Sequence, residues 1–389
     1  MRPRHAIAPR RTRSRLIVAL AATACLLAGG TIAVTEVAQA KAGGPAGRAG
    51  HAASIGHARE RVTGTVRVAG TARVTGTVHL IGEAAQAAAR SYWTPARMAT
   101  AMRASARSSS ASPPSVTGSP SAPIPAVRRQ AAVMGSAATL SPPRGTPTPQ
   151  PFSGVPTVGA LFYTKANSNH FCTASVIRST VGSLVVTAAH CVYSGKSYSQ
   201  NVEFIPGYNG GPVSYGVWPV TQITVGTGWR HGADPDLDVA FLNVVPPPDS
   251  VGPIEDVTGA LQIAFALPDA QHVTVIGYND TDQKPIMCST KSFRFRPDQM
   301  EFYCRGFWYG TSGGPWILNY NAGKGTGTVY GVIGGYQTGG HVAWASYAAA
   351  LEKPAQELLA QAEATAGSSG SGTGKPGKSL VTTVTAKTG

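Results

Sequence analysis

Three short stretches of this sequence carry side chains that could break an acyl bond together. In Leu184-Val185-Val186-Thr187-Ala188-Ala189-His190-Cys191, an apolar run delivers a histidine to the end of an expected strand. In Asp236-Leu237-Asp238-Val239-Ala240-Phe241-Leu242, a carboxylate opens an apolar strand, which draws it toward the interior. In Gly310-Thr311-Ser312-Gly313-Gly314-Pro315, a serine sits in a glycine-rich turn, where backbone can approach a ligand closely. A serine hydroxyl is a poor nucleophile until a base takes its proton. Imidazole, with an ordinary pKa of about 6.5, suits that task. A buried carboxylate holds the ring in the right tautomer. His190 is thus the candidate base, Asp238 its orienting carboxylate and Ser312 the nucleophile. Two backbone N–H groups must also face the oxyanion. Gly310 leaves its turn free to aim its own N–H and that of Ser312 at one point. Each motif alone is weak. A lone histidine in an apolar segment is more often structural, and Asp234 and Asp236 lie beside Asp238. All three in order within one β-rich domain make a strong signal.

Thr187-Ala188-Ala189-His190-Cys191 and Gly310-Thr311-Ser312-Gly313-Gly314-Pro315, in the order His, Asp, Ser, resemble chymotrypsin-like serine peptidases. The resemblance covers residues 152–350. It is similar to bacterial secreted members, including glutamyl-endopeptidase and V8-like ones. It implies an all-β fold of two six-stranded antiparallel barrels, with the triad in the cleft between them. It implies His190 as general base, Asp238 as its partner, Ser312 as nucleophile, and Gly310 and Ser312 as the oxyanion hole. Asp238 is preferred over its neighbours because Val-Ala-Phe-Leu follows it directly, as the family pattern requires. Gly334, Gly335 and Tyr336 would pair with an extended substrate backbone, against the simpler alternative of a strand-ending turn. The sequence also departs from trypsin. Thr311 stands where an aspartate usually pairs with the new N-terminus. Gly306 stands where trypsins place a carboxylate, so a preference for Lys or Arg is not supported. Trp308 replaces a cysteine.

Short β-branched and aromatic runs separated by Gly, Pro and Asn must position these residues. They include Gly159–Thr164, Val202–Ile205, Val217–Val225, Val273–Tyr278, Met300–Arg305 and Thr328–Ile333. Many short strands with frequent turns suggest a sandwich or barrel. An Ala/Leu/Glu-rich helix is expected over Tyr347–Ala366. Thr94-Pro95 reads as a cap and first turn for a short helix, Ala96–Ala106.

Composition divides the chain into four parts. Residues 1–40 read as a signal peptide: Arg2 to Arg15 form a basic start, an apolar stretch follows, and Ala38-Gln39-Ala40 supplies a cleavage site. The alternative is an uncleaved anchor. Residues 41–150 read as a propeptide plus low-complexity linker, largely disordered, with Arg128-Arg129 as a processing point. A retained wall-spanning arm is the alternative. Residues 151–366 form the peptidase domain, and 367–389 a flexible Gly/Ser/Lys/Thr tail. The net charge of +15 resides outside the domain: residues 1–150 carry +16 and residues 151–366 carry −4. A mildly acidic domain argues against nucleic acid as a partner.

Of five cysteines, Cys25 lies in the signal. Cys172, Cys191, Cys288 and Cys304 remain, an even number that in an exported chain reads as two disulfides. Three pairings are possible. Cys172–Cys191 and Cys288–Cys304 close the short loops, and the first matches the family's bridge beside the catalytic histidine. A zinc site is disfavoured by the lack of any C-x-x-C, and no metal or cofactor is expected. The reading is a secreted, monomeric serine endopeptidase acting on proteins or peptides. Its competitors are a catalytically dead binding protein on the same fold and a wall-associated structural protein.

Overall fold

The apolar runs of the second half form two sheets. The computed structural model describes residues 76–109 and 141–370, apart from 249, 251, 281 and 282, all within one compact unit, Arg59–Gly389. The first sheet comprises β1 (Gly76–Leu80), β2 (Val158–Lys165), β3 (Ser168–Val176), β4 (Leu184–Thr187), β5 (Gln200–Pro206), β6 (Trp218–Gly226) and β7 (Ala240–Val244). Their order is β1-β6-β7-β4-β3-β2-β5. β5 also pairs with β6 through Phe204 and Trp218, which closes the last six strands into an antiparallel barrel. Closure removes the exposed edges a sheet would otherwise present. Leu161, Cys172, Val185, Phe204, Trp218, Ile223 and Leu242 fill its interior.

The second sheet comprises β8 (Gln262–Ile263), β9 (His272–Tyr278), β10 (Pro285–Arg296), β11 (Gln299–Tyr303), β12 (Pro315–Asn321), β13 (Thr326–Val332) and β14 (Ala345–Ala349). It runs β8-β13-β12-β9-β10-β11-β14, with Gln150–Pro151 paired to β10 as an eighth strand. The β8–β13 pair is parallel and the others antiparallel. Phe302, Trp316, Tyr330 and Ile333 lie in its core. The expected architecture is therefore present as one closed barrel and a second, eight-stranded sheet. Both expected disulfides, Cys172–Cys191 and Cys288–Cys304, are formed.

Four helices matter for the site: α1 (Glu83–Tyr92), α2 (Pro95–Ser109), α3 (Ala189–Val192) and α4 (Lys353–Gly370). The expected C-terminal helix begins later than its composition suggests. Residues 345–349 pair with β11 instead, and Tyr347 faces Glu301 across that ladder. Helix α4 starts at Lys353 with Pro354 in its first turn, where a missing N–H costs nothing. It continues through residues 367–370, which the composition assigned to the tail. Among the described residues no helix is long and apolar enough to cross a membrane.

Part of residues 41–150 is folded. Strand β1 pairs along β6 from Gly76↔Gly226 to Leu80↔Gln222. Helix α2 contains the expected Ala96–Ala106 helix, and Thr94 Oγ1 accepts the Arg97 N–H at 3.3 Å. Its Met98, Ala101 and Met102 are buried. The signal peptide, Cys25 and Arg128-Arg129 lie outside the described residues.

Strand β2 is buried on both faces, unlike a strand with one wet side. Beside it on β5, Glu203 is fully buried and neither carboxylate oxygen has a partner. Burial pushes its pKa up to about 8, and the Arg90 charge on α1 pulls only partly the other way. The unfolded chain would release this proton near the ordinary carboxylate value, so the folded state holds it across the interval up to about 8. Folding stability therefore falls as pH rises through that interval. Glu203→Gln should remove the slope. Its melting temperature should exceed wild type at pH 8 and approach it at pH 5, measured by thermal denaturation at both values.

Candidate active site

Strand β4 ends at Thr187, and the chain turns at once into α3, which holds His190 at the rim of the first barrel. The Cys172–Cys191 bridge ties the next residue to β3. The His190 backbone N–H donates to Asp238 Oδ1 at 2.9 Å, and its Nδ1 lies 2.8 Å from Asp238 Oδ2. That contact suits an Nδ1–H donor, and in the neutral ring of that tautomer Nε2 is the acceptor a general base requires.

Asp238 does not begin the strand as expected. It follows the short 3-10 turn Pro235–Leu237 and precedes β7 at Ala240. Its side chain is wholly buried, and Oδ2 also accepts the Gly335 N–H at 2.8 Å. A buried carboxyl group that keeps its charge needs hydrogen bonds. Here the donors are the backbone and ring of His190 and the backbone of Gly335. The neighbouring acids serve other purposes. Asp234 Oδ1 accepts the Asp236 N–H and caps the turn, while Asp236 Oδ1 accepts from Gln299 Nε2 at 2.7 Å. The structure thus brings Asp238, and not its neighbours, to His190.

Ser312 lies between Gly310 and Gly313, whose φ angles are 90° and 79°, in the left-handed region that suits glycine. A Cβ at Gly313 would stand 2.2 Å from Thr173 O and 3.1 Å from Ala188 N, so the serine turn packs directly on the turn that carries His190. Among the described residues the N–H groups of Gly310 and Ser312 have no partner, and Ser312 Oγ makes no hydrogen bond to His190. Such catalytic hydrogen bonds are often long before substrate binds.

One residue that sequence reasoning missed supports this turn. Thr173 on β3 donates its backbone N–H to Ser312 O at 2.7 Å. Its hydroxyl donates to Gly310 O at 3.0 Å and accepts the Tyr278 N–H at 2.9 Å. Thr173 O in turn accepts from Thr187 Oγ1. The only sequence signal was a threonine beside Cys172 in a strand of small and apolar residues.

Gly334, Gly335 and Tyr336 do not form an open edge. The Gly334 N–H donates to Tyr347 O, that of Gly335 to Asp238, and that of Tyr336 to Gln299 Oε1. Gly335, at φ 72°, leads into the 3-10 turn Tyr336–Gly339, so the chain leaves the extended conformation here. A turn ends the strand here, and these bonds occupy the N–H groups of all three residues. The Tyr336 ring packs on Phe295 and Tyr347, with Arg296 over its face. Thr311 is buried and its hydroxyl donates to Trp308 O. At Gly306, the backbone carbonyl accepts from Asn279 Nδ2. The cluster Cys172, His190 and Cys191 is close enough to invite a metal, but its two sulfurs are bonded to each other and offer no thiolate.

A closed β-barrel and a second sheet, with a half-buried histidine bonded to a buried aspartate beside a glycine-rich serine turn, define a serine hydrolase of the chymotrypsin type. Residues 145–350 match the family model described as Trypsin, which spans more than half of the chain, and the chain belongs to that family of serine endopeptidases. The protease Anisep from Arthrobacter nicotinovorans shares the fold at 23% identity, with a TM-score of 0.50 over 56% of this chain and 100% of its own. The thermostable serine protease AL20 from an extremophilic microorganism, at 24% identity, covers 54% of this chain and 98% of its own with a TM-score of 0.48. A Glu endopeptidase, at 18% identity, covers 57% and 98% with a TM-score of 0.45. No curated protein matches the chain.

Thr173→Val keeps the side-chain shape but strips a donor from Gly310 O and an acceptor from the Tyr278 N–H. It should cost about 1–3 kcal/mol, the usual cost of a buried polar group left unsatisfied. Thermal denaturation should show a fall of several degrees, and turnover should drop further than substrate affinity.

Proposed function

We propose that the protein is a secreted serine endopeptidase that cuts peptide bonds through an acyl-enzyme formed on Ser312. The observation that carries this reading is the double hydrogen bond from His190 to the fully buried Asp238. His190 Nε2 takes the Ser312 hydroxyl proton as Oγ attacks the scissile carbonyl carbon. The oxygen gains a negative charge, which the free N–H groups of Gly310 and Ser312 stabilise. The imidazolium, held by Asp238, then gives its proton to the leaving amine. Water, deprotonated by His190, releases the acyl group by the same route.

In this scheme Gly334 offers substrate its carbonyl, to which no backbone N–H among the described residues donates. Gly306 carries no carboxylate, so a Lys or Arg side chain has no counter-ion there. Residues 1–40 direct export, in keeping with the two disulfides. The partners are proteins or peptides, the enzyme acts as a monomer, and no cofactor takes part.

Wild-type protein should be labelled covalently by a serine-directed fluorophosphonate, and Ser312→Ala should not. Failure of folded wild type to label sinks the enzyme reading and favours the dead binding protein. The choice among the three aspartates has its own test. Asp238→Asn should lower kcat by up to about 10⁴-fold, because the imidazole loses its orienting charge. Asp236→Asn should stay within about threefold of wild type. Equal losses in the two variants would contradict the assignment.

A further inference from the structure

Apolar side chains of the first barrel pack in one cluster with residues that precede the trypsin-family region. Val158, Ala160 and Phe162 on β2 and Phe171 on β3 are all buried, as is Tyr208. The residues of the same cluster that precede the family match are Trp93, Met98, Ala101 and Met102, while Leu351, Ala355, Leu358, Leu359 and Ala362 follow it. Helix α2 lies on β3, and α1 lies on β5 and β6. Trp93 packs on Phe162 with ring centroids 5.3 Å apart, and Phe162 on Phe171 at 6.4 Å. Directional bonds fix the same contact. Trp93 Nε1 donates to Asn201 O at 2.6 Å, the Tyr92 hydroxyl to Asn169 Oδ1 at 2.6 Å, and β1 adds its ladder on β6.

Phe171 also touches the serine turn. A Cβ at Gly310 would fall 2.0 Å from Phe171 Cε2, so the ring lies flush against the backbone whose N–H faces the oxyanion. Two residues along the same strand, Thr173 bonds Gly310 O and Ser312 O. The segment 76–109 therefore stands behind the one strand that sets the oxyanion donors.

We propose that residues 76–109 are a permanent part of the working enzyme, retained on the barrel even when the chain is cut within residues 110–140, and that Trp93, Met98 and Met102 are positioning residues that hold Phe171 against Gly310. The proposal rests on Gly310 serving as an oxyanion donor. It recasts the expected propeptide: a cut at Arg128-Arg129 would leave a two-piece enzyme, with the N-terminal piece still bound. A large apolar surface would otherwise be exposed by its departure, which a soluble domain rarely tolerates.

The test uses the full chain with a site-specific protease sequence inserted between residues 110 and 140. After cutting, the N-terminal piece should co-elute with the catalytic domain in size exclusion, and turnover per fluorophosphonate-titrated site should be unchanged. Elution of the piece alone, with turnover kept, would overturn the proposal. For positioning, the Met98→Ala/Met102→Ala double variant should lose roughly tenfold in kcat with KM near wild type, because a displaced oxyanion donor acts on the transition state alone. Met98→Leu/Met102→Leu should restore it. Wild-type kcat in a folded double-alanine variant would contradict positioning, and failure of that variant to fold would support the retained role. Wild type that does not label at all fails the enzyme reading instead, so the two failures are distinct.

Discussion

One side chain ties both sheets to the serine turn. Thr173 lies in the first barrel, yet its hydroxyl accepts from Tyr278 in the second sheet and donates to Gly310 in the serine turn. Its backbone N–H holds Ser312 O as well. In a buried seam each of these groups would be costly to leave unpaired. The arrangement is therefore mutually enforcing: the sheets cannot slide without breaking several bonds at once, and the serine turn cannot reorient without leaving Thr173 unsatisfied. Gly310 and Gly313 are glycine because Phe171 and Thr173 come too close for any Cβ.

A second constraint crosses the same seam from the other side. Asp238 belongs to the first barrel, but its Oδ2 accepts from Gly335, which follows the strand Thr326–Val332 of the second sheet. The carboxylate that orients His190 is thus held by both halves. Gln299 repeats the device a layer out, donating to Asp236 and accepting from the Tyr336 N–H. These bonds explain why residues 334–336 turn inward. Their N–H groups support the aspartate and its surroundings before any substrate arrives.

How legible this was in the sequence varied with the range of the interaction. His190 and Ser312 sit in local motifs whose spacing alone suggests chemistry. Asp238 could be chosen only by what followed it, and tertiary contacts then separated it from Asp236. Thr173 was not legible, because its partners Gly310 and Tyr278 lie 137 and 105 residues away. The strand Pro285–Arg296 was missed because Lys291, Arg294 and Arg296 interrupt its apolar residues; Lys291, Phe293, Arg294 and Arg296 in its outer half are exposed. The folded segment 76–109 was hidden by its alanine-rich composition. Two signals could have exposed it: Trp93, the only tryptophan before Trp218, and the continuous apolar run of β2, which needs cover on both faces. The Tyr347–Ala366 helix failed at its start because alanine, a strong helix former, is accepted in a strand when pairing supplies the stability.

The central claim is that this seam aims two backbone N–H groups at the carbonyl oxygen attacked by Ser312. A crystal structure of the full chain reacted with a peptidyl fluorophosphonate measures it directly. The account predicts phosphorus bonded to Ser312 Oγ, with one phosphoryl oxygen about 3 Å from the N–H groups of both Gly310 and Ser312. A phosphoryl oxygen turned away from both donors, or an adduct on another residue, would contradict it.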